Sequence, residues 1–199
     1  MEGQSMPARS TKSGRPRLLQ MICIFIVALI VLVGLAVLIF WLAVRPKRLI
    51  YTIEDAKVYG FGLHKNSLNA SFDFVVRAYN PNRRMSVYYD SMDVSVAYGD
   101  EKIAFSPVEP FYQPRHNVTK LEVKPVAHNF ALLGAVASDM RHEKGTGEIE
   151  VTIRMRARIR YKVGVVKSAH YKLRVVCKRV EVSLNSSRGF NRAYCNVHT

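Results

Sequence analysis

The sequence lacks the short motifs that carry catalysis. No serine stands in a G-x-S-x-G context, and the two glycines of Tyr59–Asn66 have neither the spacing nor the following helix of a phosphate-binding loop. None of the six histidines has another ligand type at i, i+4 spacing, which a metal-binding helix would need. We therefore predict a protein that is not an enzyme and uses no metal or other cofactor.

Cysteine is also scarce. Cys23 lies in a long apolar run, which leaves Cys177 and Cys195 as the one pair in the C-terminal part. Outside a cell such a pair forms a disulfide more often than it supplies nucleophiles. We predict this disulfide, which would add ~3 kcal/mol to stability in the chain-entropy model. Two free buried thiols are the alternative.

Charged residues are missing altogether from one long segment. Met21–Val44 has 24 residues without a charge, enough for ~36 Å of helix and therefore for a bilayer span. A buried core helix would need a domain to cover it on all sides, and a cleaved signal peptide has a shorter apolar run of ~7 to 15 residues. We predict an uncleaved signal anchor, which divides the chain into a basic tail (1–20), a transmembrane helix (21–44) and a folded domain (45–199).

The orientation of this anchor depends on more than charge, because four basic residues precede the span and three follow it closely. Three N-x-S/T sequons, at Asn69, Asn117 and Asn185, can carry glycans only in the secretory lumen. Together with the cysteine pair they favour a cytosolic N-terminus and an extracellular C-terminal domain. Asn117 is the expected acceptor, because Asn69 opens a strand and Asn185 lies between the two cysteines.

The folded part shows a hydrophobic period of two. In Glu148–Val163, sixteen residues alternate between apolar and polar without an error, which predicts a long strand that bends, bulges or crosses between sheets. Further strands are expected at Asp93–Gly99 and His170–Leu184, and one helix at Asn129–Arg141. Many short strands with Gly, Pro, Asn and Asp turns predict an all-β sandwich.

A proline between two asparagines interrupts the apolar pattern near the start of this domain. Asn80, Pro81 and Asn82 are residues that favour a turn. Apolar strands flank them, with Phe72–Ala78 before the turn and Met85–Tyr89 after it. We predict a hairpin with these two segments as its arms.

Positive charge is concentrated in the same part of the chain. Residues 45–199 hold 26 Lys and Arg against 14 Asp and Glu, a net charge of +12. The polar side of the long strand carries a basic row that spans ~26 Å, and Lys172 and Arg174 are in phase on an expected neighbouring strand. The row consists of Arg154, Arg156, Arg158, Arg160 and Lys162.

This row has two interpretations. It is either a solvated face, neutralised by acidic residues of the next strand, or a binding surface for polyanions. Outside a cell the polyanion would be de-esterified pectin or anionic lipid and not nucleic acid.

With these elements in place, the order of the motifs resembles a known plant family. YNPNRRMSVYYD (79–90), PFYQPRHNVT (110–119), GEIEVTIRMRARIRYKVG (147–164) and then Cys177 and Cys195 are similar to the NHL family of harpin-induced and non-race-specific disease resistance-like proteins. Members carry a late embryogenesis abundant group 2 domain behind one membrane span. The family offers no catalytic residues to carry over, and only structural positions transfer: Asn80, Pro81 and Asn82, then Tyr89 and Asp90, then Phe111–Gln113.

The resemblance implies a fibronectin type III-like or immunoglobulin-like sandwich at the outer face of the plasma membrane, with a role in defence or stress. The expected partners are the lipid bilayer, a membrane receptor or another family member, and an anionic wall polysaccharide or lipid. A structural link between plasma membrane and cell wall, or a stress-protective protein that binds membrane surfaces, is the alternative.

Overall fold

The computed structural model describes residues 15–44, 46–184 and 189–198. The chain divides into two compact units, one up to Arg45 and one from Pro46 onward. The first unit holds helix α1, Arg15–Val44, which begins six residues before the predicted span. Its segment Arg17–Ile39 is long and apolar enough to cross a bilayer, and its side chains are exposed along its whole length.

The second unit consists of antiparallel strands and one helix, which confirms the all-β prediction. The helix, α2, follows strand β7 and runs Gly134–Thr146. The strands are β1 Ile50–His64, β2 Ser67–Tyr79, β3 Met85–Tyr98, β4 Glu101–Val108, β5 Phe111–Gln113, β6 Val118–Val123, β7 Val126–Ala131, β8 Glu148–Val163, β9 Val166–Lys167, β10 Tyr171–Ser183, β11 Ala193–Tyr194 and β12 Asn196–His198.

The strands follow one hydrogen-bonded path, β11-β1-β2-β7-β4-β3-β8-β10-β12. The path is weakest in the middle, where β4 and β7 pair through Phe105 and Val126 alone. Near its ends β1 lies against β10, so the sheet folds back on itself around a single core. The core is filled by inward-pointing side chains of both halves, such as Phe72 and Phe74 from β2 and Val94 and Ile153 from β3 and β8.

Strand β8 has the bounds that the alternation predicts, and it runs through the centre of its half of the sheet. It pairs with β3 on one side and with β10 on the other. Contrary to expectation, β8 itself is continuous, and the irregularities lie on its partners. β3 bulges at Asp90, and β10 bulges between Cys177 and Val180. The bulges let strands of different twist follow one long neighbour without shifting its faces.

The predicted hairpin at Asn80–Asn82 is wrong. Among the described residues, β2 pairs with β1 on one edge and with β6 and β7 on the other, so neither edge is left for β3. Strand β3 pairs instead with β4, β5 and β8. The segment is therefore a connection that crosses from one half of the sheet to the other.

Other local predictions also need correction. The two strands expected at Met85–Tyr89 and Asp93–Gly99 are one strand, β3, which continues through the bulge at Asp90. The helix expected at Asn129–Arg141 begins later than predicted, because the chain remains in strand β7 up to Ala131 and α2 starts only at Gly134. Helix α2 buries Ala137 and Met140 and ends at Gly147, whose φ of 82° is in the left-handed region that favours glycine.

Candidate functional site

The Asn80–Asn82 connection is held by its own buried side chains. The backbone N–H of Asn82 donates to Oδ1 of Asn80 at 3.0 Å, which forms a local asparagine turn. Nδ2 of Asn80 donates to the carbonyl oxygens of Met85 at 2.9 Å and of Pro114 at 3.1 Å. Asn80 is completely buried, so these bonds replace water on a polar group that could not otherwise be buried at low cost.

Asn82 connects this turn to the segment through which the chain enters the domain. Its Oδ1 accepts a hydrogen bond from the backbone N–H of Lys47 at 2.7 Å, and its Nδ2 donates to the Lys47 carbonyl oxygen at 2.8 Å. The same Nδ2 also donates to Oδ1 of Asn80 at 3.0 Å. One side chain thus pairs with both backbone groups of Lys47, as a neighbouring strand would.

Gln113 extends the buried polar group toward the core. Its Nε2 donates to the carbonyl oxygen of Ala78 at 2.9 Å, and its Oε1 accepts from the Tyr89 hydroxyl at 3.1 Å. The Tyr89 hydroxyl is also hydrogen-bonded to that of Tyr51, and the Tyr89 ring stacks on Phe111 with centroids 4.2 Å apart. Burial raises the pKa of both tyrosines further above their usual value, which favours the neutral hydroxyls that make these hydrogen bonds.

We call Asn80, Asn82, Gln113, Tyr89 and Tyr51 the polar core. All five side chains are at most 5% exposed. They hydrogen-bond to one another and to backbone groups, so the motif that carries the family resemblance forms part of the interior. The two asparagines were predicted only as turn residues, and Tyr51 was not singled out, because its role depends on packing between distant strands.

The basic row of β8 lies on the outer face, and the registry confirms the predicted neighbours. Lys172 of β10 stands opposite Arg158, and Arg174 stands opposite Arg156. This arrangement gathers four like charges at adjacent positions of two paired strands. We call the row of β8, together with Lys172 and Arg174 of β10, the basic face.

Among the described residues, acidic side chains lie beside Arg160 and Arg154 but form no ion pair with the other three members of the row. Arg160 pairs with Asp90 at the bulge, where Nε lies 2.8 Å from Oδ2, and this hydrogen bond lowers the pKa of Asp90. Arg154 lies 3.8 Å from Asp100. The solvated interpretation is therefore correct for Arg160 and in part for Arg154.

In the middle of the basic face the positive charges are compensated only in part, since the charge of Arg158 is among the smaller causes of the lowered pKa of Asp90, after the hydrogen bond to Arg160. Across the described part of the chain, no carboxylate comes within 4.0 Å of the basic groups of Arg156, Arg158, Lys172 and Arg174, and all four residues are exposed. Asp93 stands opposite Arg156 on β3 without forming an ion pair. Charges ~6.6 Å apart repel within the ~8 Å screening length at physiological salt.

Two tyrosines border the row at its Lys162 end. Tyr88 of β3 and Tyr112 of β5 are register partners, with ring centroids 4.7 Å apart, and Tyr112 is 47% exposed. Nζ of Lys167 lies 4.7 Å from the centroid of the Tyr88 ring, and Nζ of Lys162 lies 5.9 Å from it. The sequence did not predict this pair, because β5 is three residues long and its partner is distant in the chain.

The cysteines and sequons have the following positions. The Sγ atoms of Cys177 and Cys195 lie 2.06 Å apart, at disulfide distance, where the C-terminal segment runs beside β10.

Asn117 is exposed in the loop between β5 and β6, and its Oδ1 accepts from the Val118 N–H. Asn69 lies within β2, where its Oδ1 accepts from the Asn129 N–H. Asn185 lies outside the described residues.

Chemically reactive side chains form no catalytic or metal-binding group in the described part of the chain. Within the ranges described, no three His, Cys, Asp or Glu residues lie together in a way that could hold a metal ion. Two histidine rings contact one side chain each: Nδ1 of His116 lies 3.3 Å from the Tyr79 hydroxyl, and Nε2 of His170 lies 3.4 Å from Oδ2 of Asp90. These contacts are between surface groups and form no arrangement of nucleophile and base.

Comparison with known proteins gives consistent matches. Residues 75–177 match a family model described as late embryogenesis abundant protein. "Uncharacterized protein At1g08160" of Arabidopsis thaliana is 41% identical over 188 residues, which cover 91% of this chain and 85% of that protein. "NDR1/HIN1-like protein 3" of the same plant is 34% identical over 169 residues, covering 83% and 73%. A solution structure from Arabidopsis thaliana covers 74% of this chain and 91% of its own at 13% identity, with a TM-score of 0.37.

Proposed function

Because the chain belongs to the late embryogenesis abundant group 2 family of NDR1/HIN1-like proteins, a plant family of defence and stress, we propose that it is a membrane-anchored interaction module without enzymatic activity. In this proposal α1 is an uncleaved signal anchor in the plasma membrane. The N-terminal tail lies in the cytosol, and the β domain lies outside the cell. The domain acts by binding a partner in defence or stress signalling.

The geometry of the polar core carries this proposal. The side chains by which the family motif is recognised are buried and hydrogen-bonded inside the domain, so they cannot contact a substrate. On its outer side the domain presents the exposed cations of β8 and β10. Such a surface suits recognition of another molecule, whereas catalysis generally takes place in a concave pocket.

Two features support the extracellular placement of the domain. The cysteine pair lies at disulfide distance, which suits an oxidising compartment. The Asn117 sequon is on an exposed loop, where an oligosaccharide can be accommodated without disturbing the strands. Endoglycosidase treatment of the full-length protein from plant tissue should increase its gel mobility, and Asn117→Gln should remove most of that shift. A C-terminus that resists protease added to intact cells would contradict this topology.

A second candidate function depends on which kind of molecule the domain binds. A receptor or another family member would make the protein a signalling component, whereas a wall polysaccharide alone would make it a structural link between membrane and wall. The exposed basic face favours an acidic partner in either case. Co-purification of the detergent-solubilised protein from pathogen-challenged tissue tests this choice. A receptor-type protein supports signalling, and recovery of pectin without protein supports the structural role.

A further inference from the structure

We infer that the basic face, together with Tyr88 and Tyr112, is a binding surface for a linear polysaccharide that carries carboxylates. The inference rests on the proposed extracellular placement of the domain, and it adds the partner's chemistry and the residues that bind it. It comes from the positions of charged and aromatic side chains that the polar core does not use.

The middle of the basic face carries an excess of positive charge. Arg156 and Arg158, with Lys172 and Arg174 beside them on β10, are exposed and form no ion pair within 4.0 Å among the described residues, although Asp93 stands opposite Arg156. Like charges at adjacent positions of paired strands destabilise a sheet slightly. A ligand that brings negative charge to this position relieves that repulsion and releases counterions, which gives affinity that falls steeply with salt.

Positive side chains recur every second residue of β8, which places them in a line over ~26 Å. The line begins where Lys162 stands opposite Ser86 of β3 and ends at Arg154, opposite Ser95. A chain with regularly spaced negative groups can contact several members of this line at once, and each contact adds to the affinity of the others.

Three of the four unpaired cations in the middle of the face, Arg156, Arg158 and Arg174, are arginines. The planar guanidinium matches the two oxygens of a carboxylate in a bidentate arrangement, as Arg160 already does with Asp90 in this domain. Carboxylates on a repeating chain are therefore a suitable ligand for the middle of the face.

One exposed aromatic side chain favours a sugar polymer over a lipid surface. Tyr112 exposes nearly half of its surface at the Lys162 end of the row, beside Tyr88. The C–H faces of a sugar ring can pack against such an aromatic ring, which at the same time presents a polar hydroxyl to the sugar. Lys162 and Lys167 lie around Tyr88, so a uronic acid ring at this position would have both an aromatic contact and a counter-charge.

The test measures retention of the full-length protein, in zwitterionic detergent micelles, on immobilised polygalacturonate at low and physiological salt. Highly methyl-esterified pectin serves as the uncharged polysaccharide, and phosphatidylserine nanodiscs serve as the anionic lipid. We expect retention on polygalacturonate that falls steeply with salt, little retention on esterified pectin, and weaker retention on the nanodiscs. Equal retention on both pectins, or tighter retention on the nanodiscs, would overturn the inference.

Three variants locate the site. Arg156→Gln/Arg158→Gln/Arg174→Gln should reduce retention on polygalacturonate by roughly tenfold or more, because it removes three of the charged contacts. Lys65→Gln/Lys124→Gln/Lys144→Gln removes the same charge from exposed positions away from the basic face and should change retention much less. Tyr112→Ala should weaken retention on polygalacturonate but leave retention on nanodiscs unchanged.

Each alternative outcome has a defined meaning once circular dichroism shows that the variants are folded. Equal losses of retention from the two charge variants would show that retention depends only on net charge, and this result would overturn the proposed site. An unchanged Tyr112→Ala variant would overturn the sugar-specific part of the inference. Because these measurements use purified protein, they are independent of topology, and the glycosylation and protease experiments can fail or succeed separately.

Discussion

The polar core and the basic face both consist of polar side chains, but these side chains are buried in the polar core and exposed in the middle of the basic face. In the polar core each side-chain amide is buried and bonded to backbone or to another member, as in the four bonds of Asn80 with Asn82, Met85 and Pro114. In the basic face the central cations are exposed and lack carboxylate partners among the described residues. The first region is therefore occupied by the fold, whereas the second is available to a partner.

The energetic consequences of the two regions differ accordingly. Removing one partner from a buried hydrogen-bond network leaves the others desolvated and unsatisfied, which costs ~1 to 3 kcal/mol for each group. Removing a solvated charge from a surface usually changes stability by less than ~0.5 kcal/mol. If the comparison is correct, substitutions in the polar core should affect folding and substitutions in the basic face should affect binding.

The largest effect is expected for Asn80→Ala. The change leaves the carbonyl oxygens of Met85 and Pro114 and the N–H groups of Asn82 without their partner, and it opens a small cavity. We expect a loss of roughly 3 to 5 kcal/mol in the free energy of unfolding, measured by urea denaturation of the β-sheet circular dichroism signal. Asn191→Ala, at an exposed asparagine, is the control and should lie within ~0.5 kcal/mol of the wild type. A similarly small loss for Asn80→Ala would contradict the claim that the polar core stabilises the fold.

Reduction of the Cys177–Cys195 pair should have the next largest effect. The bond closes a loop with a sequence separation of 18 and ties the C-terminal segment to β10, the strand that also carries Lys172 and Arg174. Its loss should lower the free energy of unfolding by ~3 kcal/mol in the chain-entropy model. Mass mapping without reductant must first find the two cysteines linked. Both cysteines alkylated in the folded, unreduced protein would show that the bond is not formed.

Tyr89→Phe should have an intermediate effect. The substitution keeps the stack on Phe111 but removes the hydroxyl that donates to Gln113 and is bonded to Tyr51. We expect a loss of roughly 1 to 2 kcal/mol, because two buried groups lose a partner while the ring remains. Tyr112→Phe, which removes an exposed hydroxyl from a ring on the outer face, is the matched control. Equal stabilities of the two variants would indicate that the Tyr89 hydroxyl contributes nothing.

The strands and their faces could be predicted from the sequence, because alternation is a local signal. Glu148–Val163 is a strand with the predicted bounds, and the phase of Arg156 and Arg158 with Arg174 and Lys172 follows from the same period. The partners of β2 and β3 could not be predicted from the sequence. Strand β2 pairs with β6 and β7, and β3 pairs with β8, and these partners are distant in the chain. The composition of Asn80–Asn82 is typical of a turn in either topology, so it did not distinguish a hairpin from a crossing connection.

The buried role of the asparagines was missed for a related reason. Asn82 binds Lys47, and Gln113 binds Ala78, both across a separation of 35 residues. A turn signal gives no information on such contacts. Tyr88 and Tyr112 were missed likewise, because only the pairing of β5 with β3 brings them together.

A smaller effect should appear at the boundary between the two regions, where Asp90 pairs with Arg160. The pKa of Asp90 is lowered by the hydrogen bond to Arg160 and by the charges of Arg160, His170 and Arg158. A lowered pKa in the folded state contributes stability above the unfolded value of ~3.9, and that contribution is lost as the pH falls through the folded value. The stability difference between wild type and Asp90→Asn should therefore be present at pH 6, decline as the pH falls below about 4 and be lost once the pH is below the lowered pKa, with a size of ~1 kcal/mol or less.

A difference between wild type and Asp90→Asn that does not change with pH would contradict this assignment. Asp93→Asn is the matched control, since Asp93 stands on the same strand without an ion pair. At pH 6 its stability should lie within ~0.5 kcal/mol of the wild type. The two variants together test whether the basic row is neutralised at Arg160 and open at Arg156.

The free energy of unfolding of Arg156→Gln/Arg158→Gln/Arg174→Gln tests the central comparison most directly. If the middle of the basic face is not used by the fold, this variant should equal the wild type within ~0.5 kcal/mol, or exceed it slightly at low salt because a repulsion has been removed. Any excess should shrink as salt is added. A loss comparable to that of Asn80→Ala would show that these cations stabilise the domain themselves, and it would contradict the claim that they are available to a partner.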